Sequence, residues 1–265
     1  MAKKEYSKYE LSYIYDEPVK YKNFIIYPAT VKDYLKFYFF SECLTFDKNS
    51  INDVKIISMT YLDYLYSINT DKEPYVAYFN ELLKLVTRNP ELNVKYGRNQ
   101  KNKPVFIVDG NEYTSSDFEE IKQIICEYNM VELPDETIQK EIRDNMKKAQ
   151  ELRRKSSGKM ASLEDQIVCV MISSNLSLEQ IYNLSIRKFS KILERADAKL
   201  HYEIYLSASM SGMVEFKDKS FIKHWMSDLT KPKLDLVPFE QIQDTMSGKP
   251  SAAKNVKSGR NRTKK

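Results

Sequence analysis

The sequence predicts a mainly α-helical fold with small β-hairpin elements, an α+β arrangement of helical bundle halves joined by a charged helix. Three observations lead there. Apolar residues recur at three- and four-residue spacing along most of the chain, which places them on one face of a helix. Serine and threonine stand just before many of these segments, where their oxygens can take the free amides of a first turn. Two short runs rich in β-branched and aromatic residues are instead split by turn residues, the pattern of hairpins.

From the N-terminus, residues 11–27 read as a hairpin. Leu11 to Tyr15 forms one arm, Lys20 to Tyr27 the other, and Asp16-Glu17-Pro18 supplies the turn. Thr30 then caps a helix that reaches about Phe46, with Asp33 placed to meet its free amides. Aromatic residues surround this helix on nearly all sides, so it is expected at the centre of the core. A second helix runs from about Asn52 to Ile68 and a third from about Pro74 to Thr87. The stripe of the third is Val76, Phe79, Leu82, Leu83 and Val86.

Residues 105–113 form a second hairpin. Val105 to Val108 and Asn111 to Tyr113 flank Asp109-Gly110, a pair that accepts the positive φ of a two-residue turn. Val94 to Tyr96 adds a third strand, and the polar, basic stretch from Gly97 to Pro104 is a loop. Ser116 and Glu119 make a capping box for a helix from Phe118 to Tyr128. A further helix from Pro134 to about Lys155 is highly charged, with Ile142, Met146 and Leu152 as its large apolar residues over 139–155, and it reads as a connector.

Ser156-Ser157-Gly158 is the best linker, so the expected domains are 1–155, a helical region 156–246, and a disordered basic tail 247–265. Within the helical region, Ser162, Ser177 with Gln180, and Ser185 each cap a helix. The last of these helices ends near Ser211-Gly212 and carries the stripe Phe189, Ile192, Leu193, Ala196, Leu200, Ile204 and Ser207. A short helix from about Phe221 to Leu229 follows.

Bulk properties narrow the function. The chain has 265 residues and a net charge of +5. Seven of its cations, and no acid, fall in 249–265; removing them leaves −2 for residues 1–248. A slightly acidic body argues against a folded nucleic-acid surface, although Lys254, Lys257, Arg260, Arg262, Lys264 and Lys265 could meet a polyanion. There is no apolar run long enough for a membrane span and no secretory leader, so a cytoplasmic protein without membrane partners is expected. Cys43, Cys126 and Cys169 are widely spaced among apolar neighbours and are expected to be buried thiols.

Catalytic patterns are scarce, and no enzyme, metal or cofactor is expected. His201 and His224 are the only histidines. His201-Tyr202-Glu203 matches half of the zinc-deaminase signature, but no Pro-Cys-x-x-Cys accompanies it. Phosphate-loop, nucleophile-elbow and zinc-helix motifs do not occur. Methionines and aromatics gather instead at Met210, Met213, Phe216, Trp225 and Met226, an adaptable surface for a protein partner.

Several short stretches fit together as a family pattern. They are Asp16-Glu17-Pro18 to Tyr27-Pro28, Asp33-Tyr34, Cys43-Leu44, Asp47-Lys48-Asn49-Ser50, Ile56 to Met59 with Tyr61-Leu62, Leu184 to Phe189, Leu193-Glu194-Arg195, Leu200-His201-Tyr202, Ser209 to Met213, and His224-Trp225-Met226. The chain in these places resembles tail-morphogenesis proteins of phages and prophages of Gram-positive bacteria, in particular phage tail assembly chaperones. The resemblance implies a helical, non-enzymatic factor of the host cytoplasm, with the tape measure protein and tail tube subunits as partners. The alternatives are a minor structural protein of the virion tail, or a phage protein that binds nucleic acid through the basic C-terminal segment.

Overall fold

The computed structural model describes residues 8–51, 53–134, 161–211 and 222–228. The chain divides into two compact units, Met1–Ile222 and Lys223–Lys265. Among its described residues the first is mainly helical with two small antiparallel sheets, as the sequence predicts. The predicted charged helix of 134–155, the linker at 156–158 and the tail 247–265 lie outside the described residues.

The chain enters as helix α1, Glu10–Tyr15, not as the predicted strand arm. Tyr13 explains the difference: it is buried, and its ring lies 4.8 Å from that of Tyr128, while Leu11, Ile14 and Tyr15 face outward. Asp16 adopts a left-handed conformation with φ 57° and ends the helix. The hairpin is therefore shorter than predicted. It pairs β1, Val19–Tyr21, with β2, Phe24–Ile26, around a turn at Lys22 with φ 50°.

A 3-10 turn at Val31–Asp33 leads into α2, Tyr34–Ser41. The expectation that α2 lies at the centre of the core is wrong. Phe37 and Ser41 are its buried residues, whereas Leu35 and Tyr38 are 69% and 71% exposed. The helix rests on the core by one narrow edge, and Phe39 and Phe40 lean on Tyr78 at 4.9 and 6.1 Å.

The single helix predicted over 52–68 is two: α3, Val54–Ser58, and α4, Tyr61–Ile68. Met59 and Thr60 are extended, and the Thr60 hydroxyl accepts the Asp63 amide, so a fresh cap restarts the helix. The buried Lys48 ammonium donates to the carbonyls of Ile57 and Met59 at 3.3 and 2.7 Å and holds this break. Helix α5, Tyr75–Thr87, then crosses the core with Phe79, Leu82, Leu83 and Val86 inward, as its stripe requires.

Strands β3, Val94–Arg98, β4, Pro104–Val108, and β5, Asn111–Thr114, form a meander. The β4–β5 turn is the predicted Asp109-Gly110, both residues at positive φ, 50° and 80°. The inner face of the meander aligns Tyr96, Phe106 and Tyr113. Phe106 packs edge-on against Phe79 and Phe118 at 5.8 and 6.1 Å. Helix α6, Ser115–Tyr128, is capped by Thr114 and Asp117 rather than by Ser116 and Glu119. The cap sits at the last strand residue because β5 runs straight into the helix.

The last three described helices are α7, Leu163–Ser174, α8, Leu178–Tyr182, and α9, Ile186–Met210, each opened by the predicted serine. Val170, Ile181 and Phe189 form a small second core, with Leu163, Ile167, Ile192 and Leu193 around it. Val31 from the first half of the chain completes that cluster, while Ile186 packs into the main one. Cys169 is exposed, contrary to expectation, because α7 buries the face centred on Val170. Cys43 and Cys126 are buried as predicted. No helix among the described residues is long and apolar enough to cross a membrane. In the second unit, residues 223–228 form a turn rather than part of a helix.

Candidate functional site: an apolar groove continued along a helix

The last two helices meet the main body through a backbone clasp. Thr30 and Ser185 form an antiparallel bridge; Val31 donates to the Leu184 carbonyl and Ile186 to that of Ala29, each at 2.9 Å. The Ser185 hydroxyl donates to Asp16 at 2.9 Å, and the Lys188 ammonium lies 2.9 Å from the other carboxylate oxygen. Arg187 donates to the Glu127 carbonyl at 3.0 Å and lies over the Tyr13 ring. These contacts fix the direction in which α9 leaves the body.

Beside the clasp is a groove of about 780 Å³. One wall is α2, with the exposed Leu35, Tyr38 and Phe39. The other is the chain after α6, where Met130 is also exposed. Ile186 and Ser190 of α9 line it as well. Ile204 is eighteen residues beyond Ile186, five helical turns, so the two share one face about 27 Å apart. Leu200 is one turn before Ile204 on that face. Leu200 and Ile204 are 57% and 53% exposed, although the sequence stripe implies burial. The buried residues of α9 are Ile186 and Phe189, both in its first turn.

Of the sequence-predicted partner residues, Met210 ends α9 and is 78% exposed. Trp225 and Met226 belong to the second unit; Trp225 is half-buried and Met226 exposed. Met213, Phe216 and the cations Lys254, Lys257, Arg260, Arg262, Lys264 and Lys265 lie outside the described residues. Sequence reasoning missed Leu35, Tyr38 and Phe39. Their signal was present as an aromatic excess on α2, but an all-round apolar helix reads as a buried one.

The two histidines stand on the surface. His201 sits 3.0 Å from the Asp197 carbonyl and stacks on Tyr205. His224 accepts the Met226 amide at 3.2 Å. Among the described residues, no three or more His, Cys, Asp or Glu side chains converge as metal ligands would. Asp117 anchors a charged cluster at the start of α6. Burial of Asp117 pushes its carboxyl up, but hydrogen bonds from Lys22, Tyr21 and Thr114 outweigh this and hold it at about 2.

Neither a curated protein nor a solved structure matches the chain. Residues 152–230, under a third of the sequence, match the family described as YomV second domain, a phage- and prophage-associated family. That span contains α7, α8 and α9, so the part of the chain that is similar to this family includes the helix with the exposed Leu200 and Ile204.

Proposed function

We propose that this protein is a non-catalytic phage assembly factor that binds an apolar helical stripe on another protein. In its specific form it is a tail assembly chaperone, with the tape measure protein as the chain it holds and tail tube subunits as further partners. The observation that carries the reading is the face of α9. It starts beside the α2 groove at Ile186 and continues to Leu200 and Ile204, which remain exposed.

A tape measure protein is a long helical chain, and its unassembled apolar stripes need cover. The groove takes one part of such a stripe and the exposed Leu200 and Ile204 take another, with Asp197 on the same face between them. Of the exposed residues in the groove, Met130 adapts to more than one packing, while Tyr38 and Phe39 offer rigid aromatic surface. The family match over 152–230 supports a phage setting.

The test is co-expression with the tape measure protein, followed by size-exclusion chromatography. The wild-type chain is expected to co-elute with it and keep it in solution. The double variant Leu200→Lys/Ile204→Lys is expected to keep its thermal melt and lose co-elution. Undiminished co-elution of the variant would overturn the assigned surface. Mass spectrometry of purified particles separates the two tail readings: abundant copies in mature virions would make the protein a structural component rather than a chaperone.

A further inference from the structure

The β3–β4 hairpin concentrates cations without acids. Between Val94 and Val108 there are four cations, Lys95, Arg98, Lys101 and Lys103, and no acid. All four are exposed. Lys95 and Arg98 stand on β3, and the loop that carries Lys101 and Lys103 is tied to itself. Asn99 accepts the amides of Lys101 and Lys103 on its side-chain oxygen, both at 3.0 Å, and its own amide donates to the Lys103 carbonyl at 3.0 Å. Lys101 and Lys103 therefore project from a fixed loop, which lowers the ordering cost of binding.

A cavity of about 180 Å³ opens beside this loop, between the hairpin and α4. Tyr66, Tyr96, Gly97 and Pro104 are among its walls. Tyr66 is 59% exposed. A Cβ placed on Gly97 would meet nothing within 4 Å, so that wall is open backbone against which a flat group can lie. Arg98 crosses the rim, donating to Asp63 at 3.1 Å and to the Asn102 carbonyl at 2.9 Å.

We propose that this hairpin is a binding site for single-stranded nucleic acid, with Lys101 and Lys103 meeting phosphates and Tyr66 stacking a base at the cavity mouth. Cations beside an exposed aromatic ring are the pairing that single strands use, because phosphates and base faces are both accessible. Arg98 and Asp63 pair at the cavity wall and add no net charge to it, which suits that space to an uncharged base. An acidic peptide would satisfy the lysines but leave Tyr66 and the cavity unused. The site shares no residue with the α2–α9 groove and does not involve the C-terminal cations.

The test uses the full-length chain with Lys249, Lys254, Lys257, Arg260, Arg262, Lys264 and Lys265 all replaced by glutamine. This protein is expected to raise the anisotropy of a labelled oligothymidylate at low salt. Lys101→Gln/Lys103→Gln is expected to weaken binding and to flatten the slope of log affinity against log salt by about 1.4, two phosphate contacts on a single strand. Tyr66→Ala is expected to weaken binding by about tenfold and leave that slope unchanged, as loss of stacking does. Lys101 and Lys103 are exposed, so the thermal melt of their double variant should not move, and Tyr66→Ala, which removes a ring 6.2 Å from that of Tyr96, should shift the melt only slightly. No binding at low salt would overturn the proposal, as would an inert Tyr66→Ala. Equal competition by polyglutamate would also overturn it, by showing a general polyanion surface. None of these failures touches co-elution with a helical partner.

Discussion

Thr30 and Ser185 form a single antiparallel bridge that joins two distant stretches of the chain, and the residue after each one crosses into the other's core. Val31 completes the cluster of Val170, Ile181 and Phe189, while Ile186 enters the main core. Ser185 is also the cap of α9, accepting the Lys188 amide at 3.1 Å and donating to Asp16 at 2.9 Å. Ser185→Ala removes both contacts from a buried position and is expected to cost about 2 kcal/mol. Urea unfolding should show a lower midpoint with an unchanged slope. An unchanged midpoint would mean that the Ser185 hydroxyl contributes nothing to the clasp beyond its backbone bonds.

The orientation of α2 gives a sharper contrast between neighbours. Phe37 is 3% exposed and Tyr38 is 71% exposed. Phe37→Ala should destabilise by about 3–5 kcal/mol through the cavity it leaves. Tyr38→Ser should change stability by no more than about 0.5 kcal/mol. Equal losses at both sites in thermal denaturation would contradict the observed face.

Asp117 sets a pH dependence of known sign. Its folded carboxyl titrates at about 2, below the 3.8 of the free side chain. The stability it contributes is therefore fully present above about pH 4 and is lost as pH falls from there towards 2. Asp117→Asn should be less stable than wild type at neutral pH and show a flatter fall across that window. Chemical denaturation at a series of acidic pH values measures both, and parallel curves would exclude Asp117 as a source of the acid sensitivity.

The thiols divide by exposure. Burial pushes the Cys126 thiol up to about 12 and raises that of Cys43 further, whereas Cys169 is exposed. The thiolate is the reactive form, so iodoacetamide should label one cysteine of the native protein near neutral pH, and Cys169→Ser should abolish that labelling. Urea should expose the other two. Rapid native labelling of Cys43 would show that the main core opens locally.

The sequence determined the elements whose signals are local. Ser162, Ser177 and Ser185 open the last three helices because each hydroxyl takes an amide three residues ahead. Asp109-Gly110 closes its hairpin because both residues tolerate positive φ. The exposed surface could not be read in the same way. Apolar spacing shows that a helix has an apolar face but not that a partner covers it, so the stripe through Leu200 and Ile204 and the aromatics of α2 both read as core. Only the tertiary structure decided that Tyr13 anchors a helix against Tyr128, and that Thr60 breaks α3 from α4 above Lys48. It also set the exchange of Val31 and Ile186. Burial depends on neighbours that are remote in sequence, whereas caps and turns depend on the next three or four residues.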